Sequence, residues 1–356
     1  MYGVYYTMLK LEIKIIKGYK YLYLRDKVTV NCKTTTITFY VGRLSKITTD
    51  RFVDKLNEFE RIKLKTYTDY RLKKLRCAYL DQDQALTLER LRYGYRIFKE
   101  VYPDEFKRYE KAVFVHYAQG TTAIEGNTIT TRQAEELFEH SITPEGKSLR
   151  EVYELVNFEE LEKFIASYKG DVSERLIKKM HTLIMRNLSV SSSEYRRIQV
   201  YIETAEYVPP PPFEIPNQMH ELISWYRTNR RKRHPLELAI MLHTKFVTIH
   251  PFTDGNGRLG RALLNFVLQQ NGYPKLFLDL GHREKYLDAV EEGNEGNYQP
   301  IIELLYEVYL EQHRTIYDEI IGKIRSGKSD VFTDNKRVVG EFAKIQGEER
   351  IAFIQA

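Results

Sequence analysis

Cysteine is nearly absent from this chain. Cys32 and Cys77 share no CxxC spacing and have no histidine beside them, so neither a zinc site nor a disulfide framework is indicated. That usage suits a reducing cytoplasm, which is the expected location. There is no uninterrupted apolar run of about 18 residues, so no membrane-spanning helix is expected. The opening MYGVYYTMLKLEIKIIKGYK is broken by Lys10, Glu12, Lys14 and Lys17 and holds no signal-peptide core. Internal repeats and low-complexity tracts are also missing. What remains is ordinary globular composition, 42% hydrophobic and 29% charged. A chain of 356 residues has room for one large domain with appendages or for two medium ones.

Charge is unevenly spread, with Lys and Arg concentrated at one end. Residues 1–110 hold 24 Lys and Arg against 14 Asp and Glu, a local excess of +10 within an overall +6. A basic amino-terminal third could touch nucleic acid or an acidic partner. A solvated face on Lys-rich helices is the plainer account. Alternation in Leu9, Leu11, Ile13 and Ile15, followed by YKYLYL, KVTVN and TTITFYVG, predicts three or four antiparallel strands over 8–42. Helical spacing then begins, with Phe52, Leu56 and Phe59 behind a Thr49/Asp50 cap.

From about residue 85 to residue 325 almost everything reads as helix. The exception is EYRRIQVYIETAEYVPPPPFEIP at 194–216, where RIQVYIE reads as a strand, TAE as a turn, and YVPPPP cannot be helical. The fold class is therefore mostly α, with a β-hairpin flap and a small strand-rich amino-terminal region. The expected divisions are 1–45 strand-rich, 46–110 a helical linker, 111–315 the core, and 316–356 a short helix or an arm onto a partner.

The most informative stretch is HPFTDGNGRLGR at 250–261. Pro235 opens a helix whose stripe of Leu236, Ala239, Ile240, His243 and Val247 ends near His250, and Pro251 stops it. His250 is thus expected at a helix C-terminus, where the dipole favours its protonated form. In DGNGR, Gly255 and Gly257 accept positive φ cheaply and Asn256 tolerates it, so successive N–H groups can form an anion nest. The next helix presents its N-terminus to the same anion. Arg258 and Arg261, three apart, can grip phosphoryl oxygens, and Asp254 can hold a divalent cation on them.

At every specified position this stretch resembles the signature of Fic-domain proteins, HxFx(D/E)GNGRxxR. The resemblance extends over roughly 90–315 and takes in TTAIEGN at 121–127, the flap, and YLDAVEEGNEGNYQP near 286–300. It implies a Fic-type helical core and a nucleotidyltransferase that moves AMP from ATP to a protein hydroxyl. Carried over, His250 is the base, Asp254 the Mg²⁺ ligand, Gly255, Asn256 and Gly257 the nest, and Arg258 and Arg261 the phosphate clamps. Phe252 packs the loop into the core, and Tyr286 and Asn294 neighbour the ribose and adenine. An extended segment of the target, a protein of unknown identity, would pair with the flap strand through Ile198, Val200 and Ile202.

Thr121-x-x-x-Glu125-Gly126 resembles the family's inhibitory motif, with Thr where Ser is commoner, on a helix near 115–127. In the family that Glu reaches the second signature arginine, here Arg261, and misaligns bound ATP. In some relatives the same Glu orients water to remove AMP, so a de-AMPylase is one alternative. A nucleotide-sensing regulatory protein whose basic amino-terminal region binds nucleic acid is another. Relatives often dimerise, making a homodimer an option, although no stripe in this sequence commits to one.

Overall fold

The computed structural model describes residues 9–30, 33–188, 193–202, 207–329 and 333–355. The chain divides into two compact units, one formed by 1–74, 86–103 and 314–356 and the other by 75–85 and 104–313. In the first, β1 (Lys10–Ile16), β2 (Tyr19–Val30) and β3 (Lys33–Arg43) form an antiparallel sheet in sequence order, as the alternation implies. On β2, Leu22, Leu24 and Val28 face the core while Arg25 and Lys27 face out. A bulge at Leu22/Tyr23 shifts the register against β3.

The inner face of the sheet packs on α1 (Thr49–Leu72) through Phe52, Leu56 and Phe59. The cap of α1 is Thr48 rather than Thr49 or Asp50, because its side chain accepts the Arg51 N–H at 3.3 Å. One further expectation is corrected here. The carboxyl tail is a 23-residue helix, numbered α14 (Thr333–Gln355) once the second unit's helices are counted, and not a short helix or a partner arm. Its Val338 and Phe342 complete the sheet's core, with Phe342 stacked on Phe52 at 4.1 Å between ring centroids. The tail and the amino-terminal strands therefore belong to one unit, which also holds most of α2 (Gln82–Val101).

That unit buries a small ionic network. Lys63 reaches Asp26 at 2.7 Å and Glu60 at 3.0 Å, and Arg71 pairs with Glu89 through two hydrogen bonds. Burial works against the charged Lys63, but Glu60, Tyr93 and Asp26 outweigh it and raise its pKa.

The second unit is helical: α3 (Pro103–Ala123), α4 (Thr131–His140), α5 (Leu149–Ser167), α6 (Glu174–Ile184), α7 (Ile215–Asn229), α8 (Pro235–Ile249), α9 (Asn256–Gln270), α10 (Arg283–Asn294) and α11 (Gln299–Gln312). At its centre α8 and α9 are buried nearly all round, instead of along the single stripe that periodicity suggests. Pro235 stands at the first helical position, with His234 Nδ1 accepting the Leu236 N–H. The two helices cross closely at Gly260, where a Cβ would meet Val247 Cγ1 at 2.7 Å and His243 Nδ1 at 2.8 Å. The rest of the chain that the first unit claims is α12 (Arg314–Ile316), a π-helical turn (Tyr317–Ile321) and α13 (Gly322–Ser326).

The flap differs from expectation. No strand forms in 193–202 or 207–211, and Glu203 and the TAE turn lie outside the described residues. The two arms are tied by side chains instead: Gln199 Nε2 donates to Pro209 O at 2.9 Å and Arg196 to Pro210 O at 2.5 Å. The four prolines lack the N–H groups that a ladder needs. No helix of the described residues is long and apolar enough to cross a membrane.

Candidate active site

The site is built where α8 ends and α9 begins. α8 stops at Ile249, and His250 takes the left-handed conformation at φ 50° and ψ 57°. Gly255 follows at φ 81° and starts α9 without a side-chain cap. Asn256 and Gly257 already belong to α9, so the second left-handed residue of the loop is His250 and not Gly257. The loop is locked from within. Asn256 Oδ1 accepts the Phe252 N–H at 3.0 Å while Asn256 Nδ2 donates to the Phe252 carbonyl at 2.8 Å. Phe252 is fully buried and stacks on His181 at 3.9 Å.

Gly257 is needed for space. A Cβ there would lie 2.2 Å from Glu125 Oε1, so that carboxylate rests directly against the first turn of α9. This is where a helix N-terminus attracts an anion. Glu125 sits in the turn after α3, which ends at Ala123, four residues earlier than an inhibitory helix reaching 127 would require. Gly126 at φ 98° turns the chain there.

Arg261 meets that carboxylate at 2.7 Å. Its Nε donates to Thr121 Oγ1 at 2.6 Å, and the nitrogen that binds Glu125 also donates to the Thr121 carbonyl at 2.7 Å. Its third nitrogen lies 3.5 Å from the Tyr286 hydroxyl. Burial alone would lower the Arg261 pKa, but Glu125 and Tyr286 reverse the effect and raise it. Tyr286 is itself buried, with its hydroxyl 2.8 Å from His243 Nε2. It underpins Arg261 rather than facing an open nucleoside pocket. Asn294, at the end of α10, accepts the Thr248 hydroxyl at 2.7 Å, two residues before His250.

Arg258 turns elsewhere. It is 3% exposed and held between Glu154 on α5 at 3.2 Å and Asp254 at 2.9 Å. Asp254 uses Oδ1 for that contact and for the Gly255 N–H at 2.6 Å, while Oδ2 lies 3.7 Å from exposed Arg150. The Asp254 side chain is about one-third exposed, leaving Oδ2 open to a hard cation bound chiefly through phosphates and water. Among the described residues no cluster of three or more acidic, histidine or cysteine side chains could hold a metal by itself.

His250 is not held protonated by the helix dipole. Burial first, and then the guanidinium of Arg196, push it down to about 4. The Val247 carbonyl and the carboxylates of Glu125 and Asp254 pull the other way and lose. The imidazole is therefore neutral at pH 7 and able to take a proton.

Several residues here escape a reading of the sequence. Arg196 is 3% exposed, and its Nε donates to the His250 carbonyl at 2.8 Å. Its backbone N–H donates to Pro251 O at 2.9 Å, and its other nitrogens reach Ile198 O and Pro210 O. One side chain thus ties the flap to the histidine. His181 Nε2 donates to the Asp254 carbonyl at 3.0 Å, and Glu154 receives Asn127 as well as Arg258. These partners are far apart in sequence, and no local pattern announces them. On the flap Ile198 is exposed and Val200 and Ile202 are half-buried, beside exposed Tyr201, Val208 and Phe213.

Residues 171–268 match the model of the Fic/DOC family, so the chain carries a Fic domain. It is 33% identical over 205 residues to a protein adenylyltransferase Fic of Aedes aegypti, covering 56% of this chain and 41% of that one. The counterpart in Nematostella vectensis is 31% identical over 202 residues, covering 55% and 47%. The chain thus spans under half the length of these curated relatives. Among solved structures, a Fic domain containing signaling protein from Bacteroides thetaiotaomicron superposes with a TM-score of 0.59 at 23% identity, covering 66% of this chain and 98% of that one. Fic-1 from C. elegans superposes at 0.51, with 22% identity, 78% of this chain and 75% of that chain. The expected Fic-type fold is the fold found.

Proposed function

We propose that this Fic-domain chain is a protein adenylyltransferase held in check by its own Glu125. The observation that carries the reading is the seat of that carboxylate, against the first turn of α9 and bonded to Arg261 at 2.7 Å. A cradle that already holds an anion suits an anionic ligand, and a triphosphate is the ligand this Fic signature implies.

In the reaction, the oxygen of a Ser, Thr or Tyr hydroxyl attacks the α-phosphorus of ATP. The bond from that phosphorus to the bridging oxygen breaks, pyrophosphate leaves, and the hydroxyl proton passes to Nε2 of His250. A neutral imidazole serves this step and a protonated one cannot. Gly255, Asn256 and Gly257 would meet charge on the phosphoryl oxygens through backbone N–H groups. Arg261, once released, would hold the terminal phosphate. Arg258 keeps Asp254 in place, and Asp254 Oδ2 would hold Mg²⁺, which neutralises phosphate charge when bound. With Glu125 in place ATP lacks a partner for its terminal phosphate, and a misplacement of about 1 Å can cost on the order of a hundredfold.

Glu125→Gly should raise incorporation of label from α-³²P ATP into the chain itself severalfold, and adding His250→Ala should abolish the gain. An unchanged rate in Glu125→Gly would remove the brake. A second reading rests on one further observation. Only Oε1 of Glu125 is engaged among the described residues, which leaves Oε2 able to orient a water for removal of AMP. Wild-type protein added to labelled, ATP-free Glu125→Gly chain would then release AMP, and stable label would dismiss that reading.

A further inference from the structure

The outer face of the amino-terminal sheet plays no part in the chemistry above, and its composition is unusual. Cross-strand partners share a face. The register therefore lays out four rows on the side away from α1 and α14: Lys10, Arg25 and Thr38; Glu12, Tyr23 and Tyr40; Lys14, Tyr21 and Arg43; and Ile16 with Tyr19. Lys27 and Thr36 extend the pattern at one end. Four tyrosines and five cations thus share a face whose one acidic side chain is Glu12. Glu12 is itself bridged by Lys14 at 3.8 Å and Arg25 at 3.6 Å.

The aromatic rings form a contiguous surface. Tyr40 lies 5.4 Å from Tyr23 and 6.2 Å from Tyr21, between ring centroids. Lys14 sits over Tyr23 at 4.7 Å, and Arg43 over Tyr19 at 3.6 Å. Tyr19 and Tyr40 are about half exposed. Cross-strand tyrosines stabilise a sheet by themselves, but half-exposed rings bordered by cations also offer a flat stacking surface. An acidic peptide would find the cations but would gain little from the rings. A strand of bases uses both, because every base has a π-face and every linkage carries one negative charge.

We infer that this face binds single-stranded nucleic acid, with Tyr23, Tyr40 and Tyr21 as the stacking platform and Lys14, Arg25 and Arg43 on the phosphates. Three strands about 4.8 Å apart give a width of about 10 Å, room for two or three splayed bases. Recognition of this kind is tolerant of sequence and sensitive to salt. Three phosphate contacts give a slope of about −2 in log K against log salt.

The test is fluorescence anisotropy of a labelled 12-nucleotide oligo-dT titrated with the full chain from 50 to 300 mM salt. Tyr23→Ala with Tyr40→Ala should weaken binding about tenfold or more and leave the slope unchanged. Tyr23→Phe with Tyr40→Phe keeps the rings and should keep the affinity, which separates stacking from misfolding. Lys14→Glu with Arg43→Glu should make the slope shallower by more than one. Three results would each overturn the inference: no binding at 50 mM salt, indifference to loss of both rings, or competition by poly-glutamate as strong as by the oligonucleotide.

Discussion

At the scale of single residues, what could be read directly was the local chemistry. Twelve consecutive residues carry the histidine, the carboxylate, the glycine-bordered asparagine and both arginines, so the pattern survives without any knowledge of the fold. Arg196 could not be read this way, because its three backbone acceptors lie 2, 14 and 54 residues away. Its charge also helps keep His250 neutral. Arg196→Met should therefore raise the His250 pKa and move the acid limb of labelling by Glu125→Gly protein toward higher pH. The pH–rate profile of that double variant checks this, and an unmoved limb would show that burial alone sets the histidine. Gly257 yielded half its meaning in sequence: a glycine at a phosphate-type turn was legible, but the neighbour it makes room for was not.

At the scale of elements, the crossing of α8 and α9 positions the histidine, the loop and both arginines. Gly260→Ala forces a methyl to within 2.7 Å of Val247 and 2.8 Å of His243, so one helix must shift. A loss of about 1–3 kcal/mol is expected in urea unfolding, as for other overpacked cores. Helix α14 gave only weak periodicity because its anchor is narrow, chiefly Val338 and Phe342 four residues apart. Phe342→Ala should cost about 3–5 kcal/mol by the same measurement, since the stack on Phe52 goes with it. The segment RIQVYIE misled in the opposite direction. Its alternation of β-branched residues favours a strand, and none forms over 197–202. Whether a ladder follows depends on the opposite arm, and there prolines supply carbonyls to Gln199 and Arg196 and no N–H groups.

At the scale of the whole molecule, burial lowers the pKa of several interior histidines of the helical unit, His181, His243, His250 and His313 among them. His243 and His313 are pushed down to about 3, chiefly by burial, and His250 to about 4. Unfolded, each would titrate near 6.5. Between those values the unfolded chain binds protons that the folded chain refuses, so stability is full above about pH 6.5 and falls as the pH drops toward 4. Each histidine contributes roughly 1.4 kcal/mol per pH unit in that window. Melting temperatures measured from pH 7 to pH 4 should fall steadily, and His313→Gln should flatten the decline. The two-unit arrangement was only partly legible. Charge and strand pattern marked the amino-terminal end, but nothing local joins residues 333–355 to it across more than two hundred intervening positions.

Glu125 stands on a turn beyond the end of α3, with about a third of its side chain in water. Unlatching it takes the swing of a single rotamer, a matter of nanoseconds, and no rearrangement of helices. With solvent discounting the contact to about 1–2 kcal/mol, roughly one molecule in six to one in thirty stands open at any instant. If Glu125 is the brake proposed above, such a lock would idle rather than stop, giving the resting protein a steady trickle of turnover that rises with ionic strength.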